Sequence, residues 1–195
     1  IKIKSLFKAT IIITIFSIAT RALSFLNRIF LSRHIGAEGL GIYQVVCSVF
    51  AVLITLTSSG LSMAVSKQTA RFHSINNSEA GHKTATAAAV IGVSISLIIS
   101  LLIILFKDLF SLIFTDSRCM PIFMAMLPGV AASAVYCAYR GGLWGQKKYL
   151  AFSLCEFIEQ ALLLITCVIL VSGASEIISG VKNAAISVTI SYTAS

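Results

Sequence analysis

Residues 84–106, TATAAAVIGVSISLIISLLIILF, decide the fold class of this chain. These 23 residues contain no Asp, Glu, Lys or Arg. At 1.5 Å per residue they form a helix of about 35 Å, enough to cross a hydrocarbon core of roughly 30 Å. The run is continuously apolar rather than alternating, which disfavours a β-barrel strand. It therefore predicts a transmembrane helix.

Four more stretches have the length and composition of membrane spans: 9–31, 41–65, 120–140 and 149–172. A sixth begins near 183 and has 13 residues up to Ser195, which predicts a helix of only about 20 Å. We therefore predict an all-α, polytopic transmembrane helix bundle with about five complete helices and a truncated sixth. The short last helix favours a fragment of a longer chain.

The composition agrees with a lipid environment. Hydrophobic residues make up 57% of the chain and charged residues 11%, whereas a typical soluble domain is about 25% charged. The net charge of +8 does not indicate nucleic-acid binding, because the basic residues lie between apolar runs without interleaved aromatics.

The basic residues predict the topology. If the N-terminus is cytoplasmic, the inside segments hold nine Lys and Arg residues and the outside segments four, with two more inside the first stretch. This distribution favours a cytoplasmic N-terminus in the cell membrane. The nine are Lys2, Lys4, Lys8, Lys67, Arg71, Lys83, Arg140, Lys147 and Lys148.

Catalytic and metal-binding patterns are absent from the sequence. The five cysteines form no CxxC pair, and the three histidines have no ligand-like neighbours, so we expect no metal site and no cofactor. No Ser/His/Asp or Cys/His constellation appears, and an enzyme is disfavoured.

The first stretch carries the most informative polar pattern. Steps of three and four residues place one set of side chains on a single helix face: Thr10, Thr14, Ser17, Arg21, Ser24 and Arg28. Arg21 lies about 20 Å beyond Lys8, and a charge at that depth is a functional hypothesis by default. We interpret the stripe as one wall of a cationic, water-filled cavity for an anionic group. The alternative is that Arg21 satisfies a neighbouring helix and Arg28 anchors the interface.

The stretch at 149–172 contains Glu156, Glu159 and Gln160. The depth of Glu159 is close to that of Arg21, so an Arg21–Glu159 ion pair is one hypothesis. The other is a protonatable relay at Glu159 in an ion-coupled transporter.

Two glycine clusters complete the candidate set. The run 140–148, RGGLWGQKK, predicts a turn, with Arg140 either near the mouth of the cavity or in an ordinary basic loop. The run 36–44, GAEGLGIYQ, lacks the spacing of a phosphate loop and predicts a tight turn. Gln44 then begins a polar face on the second helix, which we expect to hydrogen-bond between helices.

These residues together resemble the stage V sporulation protein B family, polysaccharide-exporter-like members of the multidrug/oligosaccharidyl-lipid/polysaccharide flippase superfamily. The matching runs, in order, are 20–28, 36–44, 59–67, 140–146 and 158–160.

The resemblance implies a two-lobed parent with a central cavity, in which 1–195 forms one N-terminal transmembrane lobe. It implies alternating access that moves a lipid-linked sugar, such as a peptidoglycan precursor, with a link to spore-cortex synthesis. It also implies that Arg21 and Arg28 match the cationic cavity positions of related flippases.

Three functions remain open at this point. A flippase would bind the anionic lipid through Arg21, Arg28 and Arg140, with a coupling ion as a further partner. An ion-coupled multidrug exporter would instead use Glu156 and Glu159. A truncated, non-transporting membrane protein would act as a scaffold.

Overall fold

The computed structural model describes residues 2–75, 78–112, 114, 116–173 and 177–194, apart from the side chains of 2–6, 8, 9 and 78. The side chains of Lys2, Lys4 and Lys8, which enter the topology prediction, therefore lie outside the described part. Every regular element in these ranges is helical, so the all-α bundle is confirmed. The elements are α1 (Lys2–Ile54), a π-helical turn (Thr55–Ser59), α2 (Gly60–Ser74), α3 (Ser78–Leu105), α4 (Lys107–Ser111), α5 (Cys119–Gly145), α6 (Tyr149–Ser172) and α7 (Ile177–Ala194).

Four helical segments of the described chain are long and apolar enough to cross a membrane: Thr10–Ser74, Glu79–Leu105, Cys119–Gly145 and Tyr149–Ser172. The first contains 65 residues. If it were straight it would be about 98 Å long, roughly three times the hydrocarbon core. It must therefore fold back on itself.

Gly36 is the point where α1 reverses. Its φ of 69° and ψ of −176° lie in a region that essentially only glycine adopts. Arg28 and Gln44 stand eight residues to either side, about 24 Å apart on a straight helix, yet they line one cavity. Thus α1 is a helical hairpin with arms 2–35 and 37–54.

The hairpin corrects the turn that we expected over 36–44 and accounts for the predicted spans 9–31 and 41–65. We expected a turn over 36–44, but only Gly36 leaves helical geometry, because a glycine can reverse the chain in a single residue. The predicted span 9–31 lies within the first arm, and the predicted span 41–65 covers most of the second arm, the π-helical turn and the start of α2.

Three further boundaries differ from prediction. The glycines of 141–145 lie inside α5, and the turn comes after Gly145. Helix α3 begins at Ser78 rather than 84, and α7 begins at Ile177 rather than 183. The apolar pattern marks the membrane-buried part, whereas the helical hydrogen bonds continue beyond it.

Helix α5 lies at the centre of the bundle, against α2, α3 and α7. Its glycines allow very close approach to α2. A Cβ on Gly141 would lie 2.6 Å from the Ser62 carbonyl oxygen, and one on Gly145 would lie 2.5 Å from the Ser66 carbonyl oxygen. Small residues four apart on both helices are typical of tight packing in membranes.

Candidate functional site

The two arginines of the polar stripe of α1 lie on an open side of its first arm. Arg21 and Arg28 are exposed, and neither forms an ion pair with any residue that the structure describes. The packed face of the same arm holds Thr20 and Asn27, which are 8% and 5% exposed. Phe25, 64% exposed, belongs to an apolar face on the other flank. The stripe is therefore a cationic strip beside apolar surface.

At the Gly36 end, the hairpin brings two of the predicted site residues together. Arg28 and Gln44 line a cavity of about 350 Å³ that also includes Tyr43, Cys47 and Ser48. No acidic residue of the described ranges lines it. Since the guanidinium and the amide both donate hydrogen bonds, this cavity can hold an anionic group.

In the middle of the stripe, a hydrogen bond joins α1 to α6. The Ser24 hydroxyl donates to Gln160 Oε1 at 2.8 Å. The rings of Phe16 and Phe157 meet edge to face nearby, with centroids 6.0 Å apart. Gln160, a predicted site residue, therefore faces the stripe between Arg21 and Arg28.

The acidic residues of α6, which precede Gln160 in the chain, face α5. Glu156 Oε2 lies 2.9 Å from Arg140 Nη2, in a pair whose side chains are 34% and 25% exposed. The Arg140 guanidinium also lies 4.3 Å from the centre of the Phe152 ring. Arg140 is thus a partly neutralised cation held against an aromatic face.

The predicted Arg21–Glu159 ion pair is not formed among the described residues. Glu159 is only 7% exposed and interacts electrostatically with Arg140 and Tyr136 of α5. Gln160, rather than Glu159, contacts the first arm of α1. The similar depths of Arg21 and Glu159 predicted the pair, but the rotation of α6 about its axis directs Glu159 toward α5 instead of α1.

Sequence reasoning missed a tyrosine-lined cavity next to Arg140. Tyr136, Tyr139 and Tyr192 line a space of about 390 Å³ together with Arg140 and Cys155. Tyr136 and Arg140 are four residues apart on α5, so their common face was visible in the sequence. Tyr192 comes from α7, and only the packing of α7 brings it there.

The site therefore has three parts. The Arg28–Gln44 cavity lies at the Gly36 end, Ser24–Gln160 in the middle, and Arg140 with Glu156, Glu159 and the tyrosines beyond. The site holds three guanidinium groups, those of Arg21, Arg28 and Arg140, and only the last lies against the carboxyl groups of Glu156 and Glu159. Arginine binds phosphate oxygens through two parallel hydrogen bonds, so the arrangement suits a phosphorylated or diphosphorylated group.

Comparison with known proteins identifies a matching protein family and a curated relative. A family model described as "Polysaccharide biosynthesis protein" matches residues 6–195. Stage V sporulation protein B of Bacillus subtilis (strain 168) is 29% identical over 154 residues, which are 78% of this chain and 30% of that protein. The chain thus spans less than a third of the length of this curated relative. No solved structure matches the chain.

Proposed function

Since this chain belongs to the polysaccharide biosynthesis protein family, we propose that it forms part of a membrane flippase for a lipid-linked sugar, a peptidoglycan precursor or a polysaccharide intermediate. The similarity to a sporulation protein supports a role in cell-wall or spore-cortex synthesis. The proposal places the protein in the cell membrane with a cytoplasmic N-terminus, and residues 1–195 in one lobe that faces a second.

The observation that carries this proposal is that Arg21 and Arg28 are exposed beside apolar surface and form no ion pair with the residues that the structure describes. A lipid-linked sugar joins an anionic phosphate head to a long apolar tail. Moving such a head through the membrane costs several kcal/mol or more unless opposite charges replace its water. The stripe supplies the cations, and the adjoining apolar face suits the tail.

The three parts of the site suit successive contacts with the head. Arg28 and Gln44 hold it at the Gly36 end, Arg21 in the middle, and Arg140 beyond. The ion pair with Glu156 weakens binding of the head by Arg140, which favours release of the head over its retention. The tyrosine-lined cavity next to Arg140 offers flat aromatic faces for the sugar rings.

Glu159 supplies the buried ionisable group that ion coupling requires. It lies within the bundle, close enough to Arg140 to interact with it. We therefore keep Glu159 as the relay residue, with Glu156 holding Arg140 in place.

An exporter of organic cations fits this arrangement less well. Such a substrate needs accessible carboxylates, but Glu156 is paired with Arg140 and Glu159 is buried. The exposed charges of the stripe are both positive and would repel it.

The test is binding of an undecaprenyl-diphosphate sugar to the purified protein, measured by native mass spectrometry against an organic cation. We expect Arg21→Ala and Arg28→Ala each to weaken lipid binding at least tenfold, since each removes a charged hydrogen-bonding partner. Arg33→Ala is the matched control, because Arg33 is an exposed arginine of the same arm outside the stripe. Equal loss in all three variants, or preference for the organic cation, would refute the proposal.

A further inference from the structure

A second open groove lies at the end of the bundle remote from Gly36. It is formed by α2, the end of α5 and the start of α6, and has a volume of about 680 Å³. Lys67, Lys147, Ser62 and Ser66 contribute its polar wall, and Trp144 and Tyr149 its aromatic wall. None of the residues assigned above to substrate binding lines it.

The charge of this groove is unbalanced. Among the described residues that line it, none is acidic. Neither Lys67 nor Lys147 forms an ion pair with a residue in the described ranges. The two lysines and the hydroxyls of Ser62 and Ser66 can donate hydrogen bonds. With the positive charge of the lysines, this wall of the groove suits a phosphate group.

The length of helix between Gly36 and the groove matches the thickness of a bilayer with its headgroups. Lys67 lies 31 residues beyond Gly36, or about 46 Å along the second arm and α2. A bilayer with its headgroups is about 40–45 Å thick, and transmembrane helices tilt by about 20° on average. With Gly36 at one surface, Lys67 therefore reaches the headgroups of the other.

The aromatic wall supports the same placement. The Trp144 ring meets Tyr149 and Phe152 at centroid distances of 5.5 and 4.8 Å, and Trp144 is 43% exposed. Tryptophan and tyrosine are enriched at this level of a membrane. Toward the bilayer centre, Met63 and Ser59 line the groove, and Ser59 lies about 12 Å from Lys67 along the helix.

We propose that this groove binds an anionic phospholipid, with its phosphate between Lys67 and Lys147 and one acyl chain along Met63. Basic pockets between transmembrane helices are suited to such headgroups. The site is separate from the stripe on α1 and does not depend on the transport proposal.

The backbone at Lys147 is consistent with a binding role. Lys147 has a φ of 59°, at the position after a helix where glycine is usual. Its N–H donates to the Trp144 carbonyl at 3.0 Å, and the Lys148 N–H donates to the Leu143 carbonyl at 3.1 Å. This turn holds a lysine at the mouth of the groove although glycine suits the conformation better.

The test measures retention of phosphatidylglycerol and phosphatidylcholine by the purified protein in native mass spectrometry. We expect preferential retention of phosphatidylglycerol, and about a fivefold weaker affinity for it in each of Lys67→Gln and Lys147→Gly. Lys147→Arg should retain the binding, because the charge is kept. Lys148→Gln is the matched control, since Lys148 is exposed in the same turn but does not line the groove.

Two results would overturn the proposal. One is an equal loss of phosphatidylglycerol in Lys148→Gln and the two groove variants, which would show attraction to the surface in general. The other is displacement of phosphatidylglycerol by undecaprenyl diphosphate in the wild type, which would make the transported lipid the occupant. Loss of sugar-lipid binding in Arg21→Ala has no bearing on either result.

Discussion

Replacement of Gly36 by alanine tests the hairpin on which the site depends. The φ of 69° and ψ of −176° at Gly36 are strained for any residue with a Cβ, at a cost of about 1–3 kcal/mol. Nothing lies within 4 Å of the position that the new Cβ would occupy. The expected destabilisation of Gly36→Ala therefore comes from the backbone alone.

Gly41→Ala is the matched control five residues away. Its Cβ would also meet nothing within 4 Å, but Gly41 lies in the regular helix of the second arm. There, alanine is favoured over glycine by about 0.5–1 kcal/mol. The two variants add the same methyl group to open space and should shift stability in opposite directions.

The assay is equilibrium unfolding of the purified protein in mixed micelles, followed by the fluorescence of Trp144, the only tryptophan of the chain. Gly36→Ala should also weaken binding of the anionic sugar lipid, because the reversal places Arg28 and Gln44 in the lining of one cavity. If Gly36→Ala unfolds like the wild type, or if Gly41→Ala is equally damaging, the account of the hairpin is wrong.

Three other predictions concern the packing and the polar contacts. Gly141→Ala should destabilise the protein by about 1–3 kcal/mol, because its Cβ would overlap the backbone of α2. The adjacent Gly142→Ala should be tolerated, because its Cβ would lie 3.6 Å from the nearest atom. Equal unfolding midpoints for the two variants would contradict this. A double-mutant cycle of Ser24→Ala and Gln160→Ala should give a coupling of about 0.6 kcal/mol, the typical value for hydrogen bonds between membrane helices, and strictly additive effects on stability would argue against the contact. Glu156→Gln should tighten binding of the sugar lipid severalfold by releasing Arg140. The control Glu38→Gln releases Arg118 from an exposed pair and should leave the affinity for the sugar lipid unchanged. Weaker binding in Glu156→Gln would contradict the proposed role of the Arg140–Glu156 pair.

The transmembrane class and most of the spans could be predicted because they depend on a local property. A run such as 84–106 has no charged side chain that would keep it in water. Within a membrane its backbone can satisfy its hydrogen bonds only as a helix or in a closed barrel. The polar stripe of α1 was equally visible, since helical periodicity alone puts Arg21, Ser24 and Arg28 on one face.

Helix ends were harder to predict because the apolar pattern does not mark them. Gly141 was expected in a turn on account of its conformational freedom, but it lies within α5. There its lack of a side chain permits contact with α2. The same residue type suits a turn and a tight helix contact, and only the neighbouring helix distinguishes the two.

The sequence by itself determined that this chain is a bundle of membrane helices with a cationic stripe on its first arm. The tertiary structure decided which polar residues meet. It placed Arg28 and Gln44 in the lining of one cavity through the reversal at Gly36, paired Arg140 with Glu156, and left Arg21 without the partner that depth alone suggested. Depth along a helix follows from counting residues, whereas contact between helices depends on their rotation and packing, to which side chains far apart in the sequence all contribute.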